Sequence, residues 1–112
     1  AAACNEIITL TTPASPANIS TSAGIEDYNS FGPRAAAKAR RALDLATSVV
    51  AIEFLCAAQG IEYHRPLKTG NRLEQLHERI RAQVPRLTDD RSPAPDIEAI
   101  RKLIYAGQLS RA

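Results

Sequence analysis

The acids Glu26 and Asp27 stand side by side in the run Ile25-Glu26-Asp27-Tyr28-Asn29-Ser30. A carboxylate held near an amine can accept its proton or orient its positive charge. On their own terms these two read equally well as solvated loop acids. A third acid, Glu53, is alone in an apolar stretch. An isolated buried charge is very costly there, so Glu53 is expected to be paired, for instance with an arginine inside or outside this chain. His64 and His77 are separate, one in a loop and one beside an amphipathic stripe, and both read as surface histidines. Arg72, Arg79, Arg81 and Arg86 read as solvated helix faces or subunit salt bridges. Cys4 and Cys56 lie in apolar, helix-like contexts and are expected to be small buried thiols rather than a disulfide. Neither cysteine belongs to a Cys-x-x-Cys pair or has a histidine at ligand spacing, so no metal site is expected. No nucleophile–base pair or metal cluster is visible, which argues against a small standalone enzyme.

The elements that must position these residues are helical. Residues 1–10 read as the last turns of a helix, with Ile7, Ile8 and Leu10 apolar and no capping residue ahead of them. Together with the absence of Met and the opening Ala1-Ala2-Ala3, this points to a start that lies elsewhere, or to a removed initiator. Residues 11–32 cannot continue the helix. Pro13 and Pro16 remove backbone donors and push their predecessors to extended geometry. Irregular stretches of this length are commonly functional or disordered, and Ile19, Ile25, Tyr28 and Phe31 argue for packing against something.

A long core helix is expected over 33–60, with Pro33 in its first turn and Gly60 as its C-terminal cap. Its second half, Val49 through Ala58, is apolar nearly all round and must be enclosed by helices from other polypeptide. Residues 61–112 hold two short peripheral helices. The first opens at Asn71 with Glu74 in a capping-box-like arrangement, and Leu73, Leu76, Ile80 and Val84 form its stripe before Pro85. In the second, Asp96 is the expected N-cap, Ile97, Ile100 and Ile104 the buried face, and Gly107 the stop. The fold class is therefore all-α, a helical-bundle segment with one long central helix, a long N-terminal site loop and two short C-terminal helices. The whole of 1–112 reads as one segment.

Bulk composition agrees. Of 112 residues, 45% are hydrophobic, 23% charged and only 4% aromatic, the profile of a helical protein rather than a sandwich. Fourteen basic against twelve acidic residues leave a net charge of +2, with the two signs interspersed, which argues against a nucleic-acid partner. No signal peptide is evident and no apolar run reaches membrane-spanning length, so a cytoplasmic location without membrane contact is expected.

Three segments resemble one family. Pro13-Ala14-Ser15, Thr21-Ser22-Ala23 and Glu26-Asp27-Tyr28-Asn29-Ser30-Phe31-Gly32 are similar, in order and spacing, to the stretch that lines the inner mouth of the active site in aromatic amino-acid ammonia-lyases (histidine, phenylalanine and tyrosine ammonia-lyases and related aminomutases). Ala51-Ile52-Glu53-Phe54-Leu55-Cys56-Ala57-Ala58-Gln59 looks like that family's core-helix signature. Val84-Pro85-Arg86-Leu87-Thr88-Asp89-Asp90-Arg91, followed by Pro95-Asp96-Ile97, resembles its closing segment.

The resemblance implies the C-terminal portion or small subunit of an enzyme that eliminates ammonia from an aromatic amino acid to give an aryl-acrylate. It also implies the electrophile 4-methylidene-imidazol-5-one (MIO), made from an internal Ala-Ser-Gly. Here Ala14-Ser15 is followed by Pro16, and Ala23-Gly24 by Ile25. The electrophile is therefore expected on a larger partner polypeptide carrying Ala-Ser-Gly, in a tetrameric or heteromeric assembly, and this chain alone is expected to be inactive. By resemblance Glu26 faces the substrate's amino group and ring, as catalytic and substrate-binding residue, with Ile25 beside it as a second substrate-binding residue. Histidine ammonia-lyases carry a glutamate at this position and phenylalanine ammonia-lyases a glutamine. Gly24-Ile25 replaces a pair of polar amides and Tyr28 a histidine of the histidine-lyase pattern, while Asn29 is closer to the phenylalanine-lyase pattern. The substrate is thus left open. Asp27, Asn29 and Ser30 read as residues that hold the loop and cap the long helix. Two alternatives remain: a non-catalytic helical interaction domain, and part of an aminomutase of the same family.

Overall fold

The computed structural model describes residues 1–110. The order of elements is α1 (Ala2–Leu10), a short 3-10 turn (Ser22–Gly24), α2 (Gly32–Tyr63), α3 (Asn71–Arg81) and α4 (Ala94–Tyr105). The described residues contain no strand, only an isolated antiparallel bridge between Thr21 and Glu26. The all-α architecture, the single long helix and the two short C-terminal helices are as the hydrophobic periodicity requires. The chain divides into two compact units, with the break between Ala46 and Thr47, and α2 contributes its first half to one and its second half to the other.

The first unit holds α1, the irregular segment and the start of α2. Leu45 is its one buried residue among those described. Polar bonds do most of the tying. Arg41 Nε donates to Glu6 Oε1 at 2.8 Å, and Lys38 Nζ donates to the Thr12 carbonyl. Leu43 is 70% exposed, so this part of α2 presents apolar surface to solvent.

The second unit has a conventional core. Ala51 and Ala58 of α2 meet Ile80 of α3, Val84 just beyond it and Ile100 of α4, with Phe54, Leu55, Leu76, Ile97 and Ile104 packed around them. Ile100 and Val84 are fully buried, and each such side chain contributes roughly 1.5–3 kcal/mol relative to exposure. Ala51 and Ala58 are seven residues apart on one face of α2, and their small side chains let α3 and α4 approach closely. α4 ends in a Schellman motif. Gly107, at φ 67°, lets its own N–H reach the Ile104 carbonyl and the Gln108 N–H reach the Leu103 carbonyl.

Several boundary expectations need correction. α2 does not stop at Gly60 but continues to Tyr63. An interior glycine costs about 1 kcal/mol relative to alanine, and the extra turn is retained because Glu62 finds partners on α3. Asn71 is the first helical residue of α3, not its cap; Gly70 occupies the cap position. Glu74 reaches back past it, accepting from the Thr69 N–H at 2.7 Å and the Thr69 hydroxyl at 2.8 Å. Leu73 faces solvent, outside the stripe assigned to it. α4 begins at Ala94 with Pro93 before it. Asp96 therefore lies in the first turn, where its carboxylate takes Arg91 Nη2 at 2.7 Å instead of capping.

Three further expectations change with packing. Cys4 and Cys56 are free but exposed, not buried, and Glu53 is likewise exposed. Val50 and Ile52 remain 40% and 43% exposed, so the apolar second half of α2 is covered on one face only. A window of this helix has a mean hydropathy of 1.5 and is long and apolar enough to cross a membrane by length and composition. Counting uninterrupted apolar runs misses this, because alanines and valines carry the average across a window with few charges. A bundle-core helix has the same profile.

Candidate functional site

The irregular segment is built as a loop with three successive locks. At its base Asn18 and Asn29 face each other. Asn18 Nδ2 donates to the Asn29 carbonyl and Asn18 Oδ1 accepts from the Asn29 N–H, both at 3.0 Å. Asn29 Nδ2 adds a 2.6 Å bond to the Ile19 carbonyl. The Asn18 side chain thus does the work of a paired strand where no ladder exists.

Further out, Thr21 and Glu26 exchange both backbone bonds. The Thr21 N–H donates to the Glu26 carbonyl at 2.7 Å, and the Glu26 N–H donates to the Thr21 carbonyl at 3.2 Å. At the tip, Ser22, Ala23 and Gly24 all take positive φ, at 51°, 54° and 87°. Only glycine adopts that region freely, so the serine and the alanine sit in a sparsely populated conformation. The turn reverses the chain between Thr21 and Glu26 in four residues.

Glu26 is exposed on this loop, and its Oε2 accepts from the Thr21 hydroxyl at 3.3 Å. Ile25 and Tyr28 are 84% and 91% exposed. Beside the loop lies a cleft of about 510 Å³ lined by Pro13, Ser15, Asn18, Tyr28, Asn29 and Phe31, among others, but not by Glu26 or Ile25. Asn29 holds the loop, as expected. Ser30 Oγ accepts a long 3.5 Å bond from the Gly32 N–H at the start of α2, and Asp27 is exposed. Asn18 went unnoticed in the sequence, where an asparagine after Pro-Ala looks like any loop residue.

A separate cluster lies in the second unit and overturns two surface assignments, those of His77 and Arg81. His77 is 6% exposed. Its Nδ1 lies 3.3 Å from Arg65 Nη2, and its Nε2 lies 3.1 Å from Glu62 Oε1 without the alignment of a hydrogen bond. Arg81 is half-buried. It donates to Glu62 Oε1 at 2.9 Å, to Gln59 Oε1 at 3.3 Å and to the carbonyls of Val84 and Pro85. Arg79 stays exposed, as expected, and ties α3 to the chain beyond α4 through the Gln108 carbonyl at 2.8 Å. Burial pushes the Glu62 carboxyl up, but Arg81, with His77 and Arg86, outweighs it and holds the group below its ordinary value. Glu74 is depressed further, to about 2, by its hydrogen bond from Arg65 and by the Thr69 N–H and hydroxyl. The hydrogen bonds and ion pairs given for this cluster join parts of the same unit and tie its helices together. Among the described residues no group of histidine, cysteine and acid side chains is arranged to hold a metal.

Residues 1–82 match the family model of the aromatic amino acid lyases. The chain belongs to that family. Histidine ammonia-lyase of Homo sapiens is 45% identical over 104 residues, covering 93% of this chain and 16% of the human protein. The Myxococcus xanthus histidine ammonia-lyase is 43% identical over 103 residues, 92% of this chain and 20% of its own length. Among solved structures, the Trypanosoma cruzi histidine ammonia-lyase superposes with a TM-score of 0.90 at 36% identity, over 96% of this chain and 21% of that one. The Treponema denticola ergothionase, crystallised with desmethyl-ergothioneine sulfonic acid, gives a TM-score of 0.86 at 28% identity, over 99% and 22%. This aromatic amino acid lyase chain thus spans about a fifth of the length of the relatives it matches. Its all-α architecture is that of a fragment of the lyase fold.

Proposed function

We propose that this chain serves as the C-terminal portion, or a small subunit, of an ammonia-lyase that eliminates ammonia from an aromatic amino acid, with histidine the favoured substrate. Similarity to histidine ammonia-lyases over nearly the whole chain carries this reading. The family's electrophile, MIO, does not fit the residues present. It needs Ala-Ser-Gly, and here a proline follows Ala14-Ser15. A proline has no backbone N–H to take part in ring closure and fixes its own φ. The electrophile-bearing tripeptide must therefore be sought on a larger polypeptide, and this chain supplies the loop with Glu26.

Glu26 has the chemistry its place calls for. A substrate ammonium must give up a proton for the amine to react, and a carboxylate fixed nearby can orient that cation or take its proton. Ile25 and Tyr28, both projecting from the loop, would form apolar and aromatic walls toward the substrate ring. The exposed apolar positions of α2 are the surface on which the larger polypeptide would pack.

The test has two parts. Native mass of the assembly should reveal a larger polypeptide bearing Ala-Ser-Gly, tetrameric or heteromeric in total. Full lyase activity from the isolated chain would refute the proposal, and a cooperatively folding, inactive monomer would favour a free-standing interaction domain. Within the assembly, Glu26→Gln should change turnover or the preference between histidine and phenylalanine without unfolding; unaltered kinetics would remove Glu26 from the site.

A further inference from the structure

We propose that Thr21 is a positioning residue that fixes the orientation of the Glu26 carboxylate, and that it does so through its hydroxyl; this rests on the site role given to Glu26 above. Residues that exchange both backbone bonds across an antiparallel pair present their side chains on the same face. Thr21 and Glu26 form such a pair. Thr21 is extended, at φ −129° and ψ 176°, and its β-branch restricts χ1. Its hydroxyl donates to Glu26 Oε2 at 3.3 Å. One carboxylate oxygen is therefore tethered to the loop, while the other is left for a ligand cation.

The left-handed turn from Ser22 to Gly24 brings Thr21 and Glu26 back into this pairing. Glu26 is otherwise a flexible side chain on an exposed loop. The hydrogen bond it accepts from the Thr21 hydroxyl selects a carboxylate direction rather than a backbone position. A glutamate that must meet an amino group in one geometry needs such a restraint, since misplacement by an ångström costs orders of magnitude in rate.

The experiment uses three variants. Thr21→Val keeps the β-branch and both backbone bonds but removes the hydroxyl, Thr21→Ser keeps the hydroxyl, and Glu26→Ala removes its partner. In the chain itself, side-chain couplings by NMR should show the Glu26 rotamers averaging in Thr21→Val and remaining restricted in Thr21→Ser. An unchanged rotamer distribution in Thr21→Val would overturn the proposal. In the lyase assembled with its larger polypeptide, Thr21→Val should lower kcat roughly tenfold, as loss of a hydrogen bond to a charged group does, with KM little changed and Thr21→Ser close to wild type. In the Glu26→Ala background, Thr21→Val should have no further effect. An equal loss in both backgrounds would make Thr21 merely structural and overturn the proposal. Should Glu26→Ala leave kinetics intact, the site reading itself fails; should Glu26→Ala be impaired and Thr21→Val not, only the positioning role fails.

Discussion

The two units of this chain keep their order by different means. From Thr47 onward a hydrophobic cluster is closed by Ala51, Ala58, Ile80, Val84 and Ile100, and the Glu62–Arg81–His77 and Arg65–Glu74 contacts tie α2 and α3 around it. Up to Ala46 the only described buried residue is Leu45, and shape comes from side chains bonded to backbone at Asn18 and Asn29 and from the Thr21–Glu26 pairing. In the second unit burial supplies the stability, and the ion pairs add direction to it. Directional bonds give the first unit a defined loop with little stability of its own.

That contrast can be broken most forcefully at Ile100. Ile100→Ala should cost about 2–5 kcal/mol, the usual penalty for a cavity in a core, seen as an earlier urea midpoint for the second unit. A loss below about 1 kcal/mol would mean that the cluster is not a packed core. Next comes Arg81→Met, which removes the main partner of Glu62 while keeping bulk. With burial still pushing the Glu62 carboxyl up and Arg81 no longer opposing it, that group should titrate higher by NMR. The unit should lose about 1–3 kcal/mol for the acceptors left unpaired. An unmoved Glu62 titration would contradict the ion pair.

In the first unit, Asn18→Ala should cost about 1 kcal/mol, and only locally. Amide exchange at Ile19 and Asn29, whose N–H groups Asn18 Oδ1 accepts, should quicken while the urea midpoint of the second unit stays put. Quickening spread over α3 and α4 would show that the units do not behave separately.

The smallest effect is an acid one. Glu74 is held at about 2 against an ordinary 4.5. A carboxyl depressed on folding stabilises the folded state above the ordinary value, and that contribution is lost as pH falls through the folded one. The second unit should therefore weaken progressively from pH 4.5 down to about 2, and less so in high salt, since Arg65 is partly exposed. Glu74 titrating near its ordinary value would remove this contribution.

Much of the fold could be read directly. Prolines 13 and 16 break the chain where α1 ends, the apolar spacing of Ile97, Ile100 and Ile104 marks α4, and Gly107 stops it as its left-handed φ requires. What could not be read depends on which helices meet. His77 looks like a surface residue until Glu62 and Arg65 are known to face it, and Gly60 looks like a stop until the next turn is known to have partners. The loop shows the same divide. Asn29 is legible through its turn-like setting. The Asn18 clamp joins residues eleven positions apart, and no local propensity encodes it.

The left-handed turn at Ser22–Gly24 also divides the loop's tolerance to change. At Ser22 and Ala23 handedness admits small residues, and it excludes valine, isoleucine and threonine, whose branched β-carbons clash at positive φ. Ile25 and Tyr28, one and four residues beyond the turn, are bound by no such rule, since their side chains stand in the open. Side chains can therefore be exchanged at those two positions without redrawing the backbone, while the turn itself admits almost no drift.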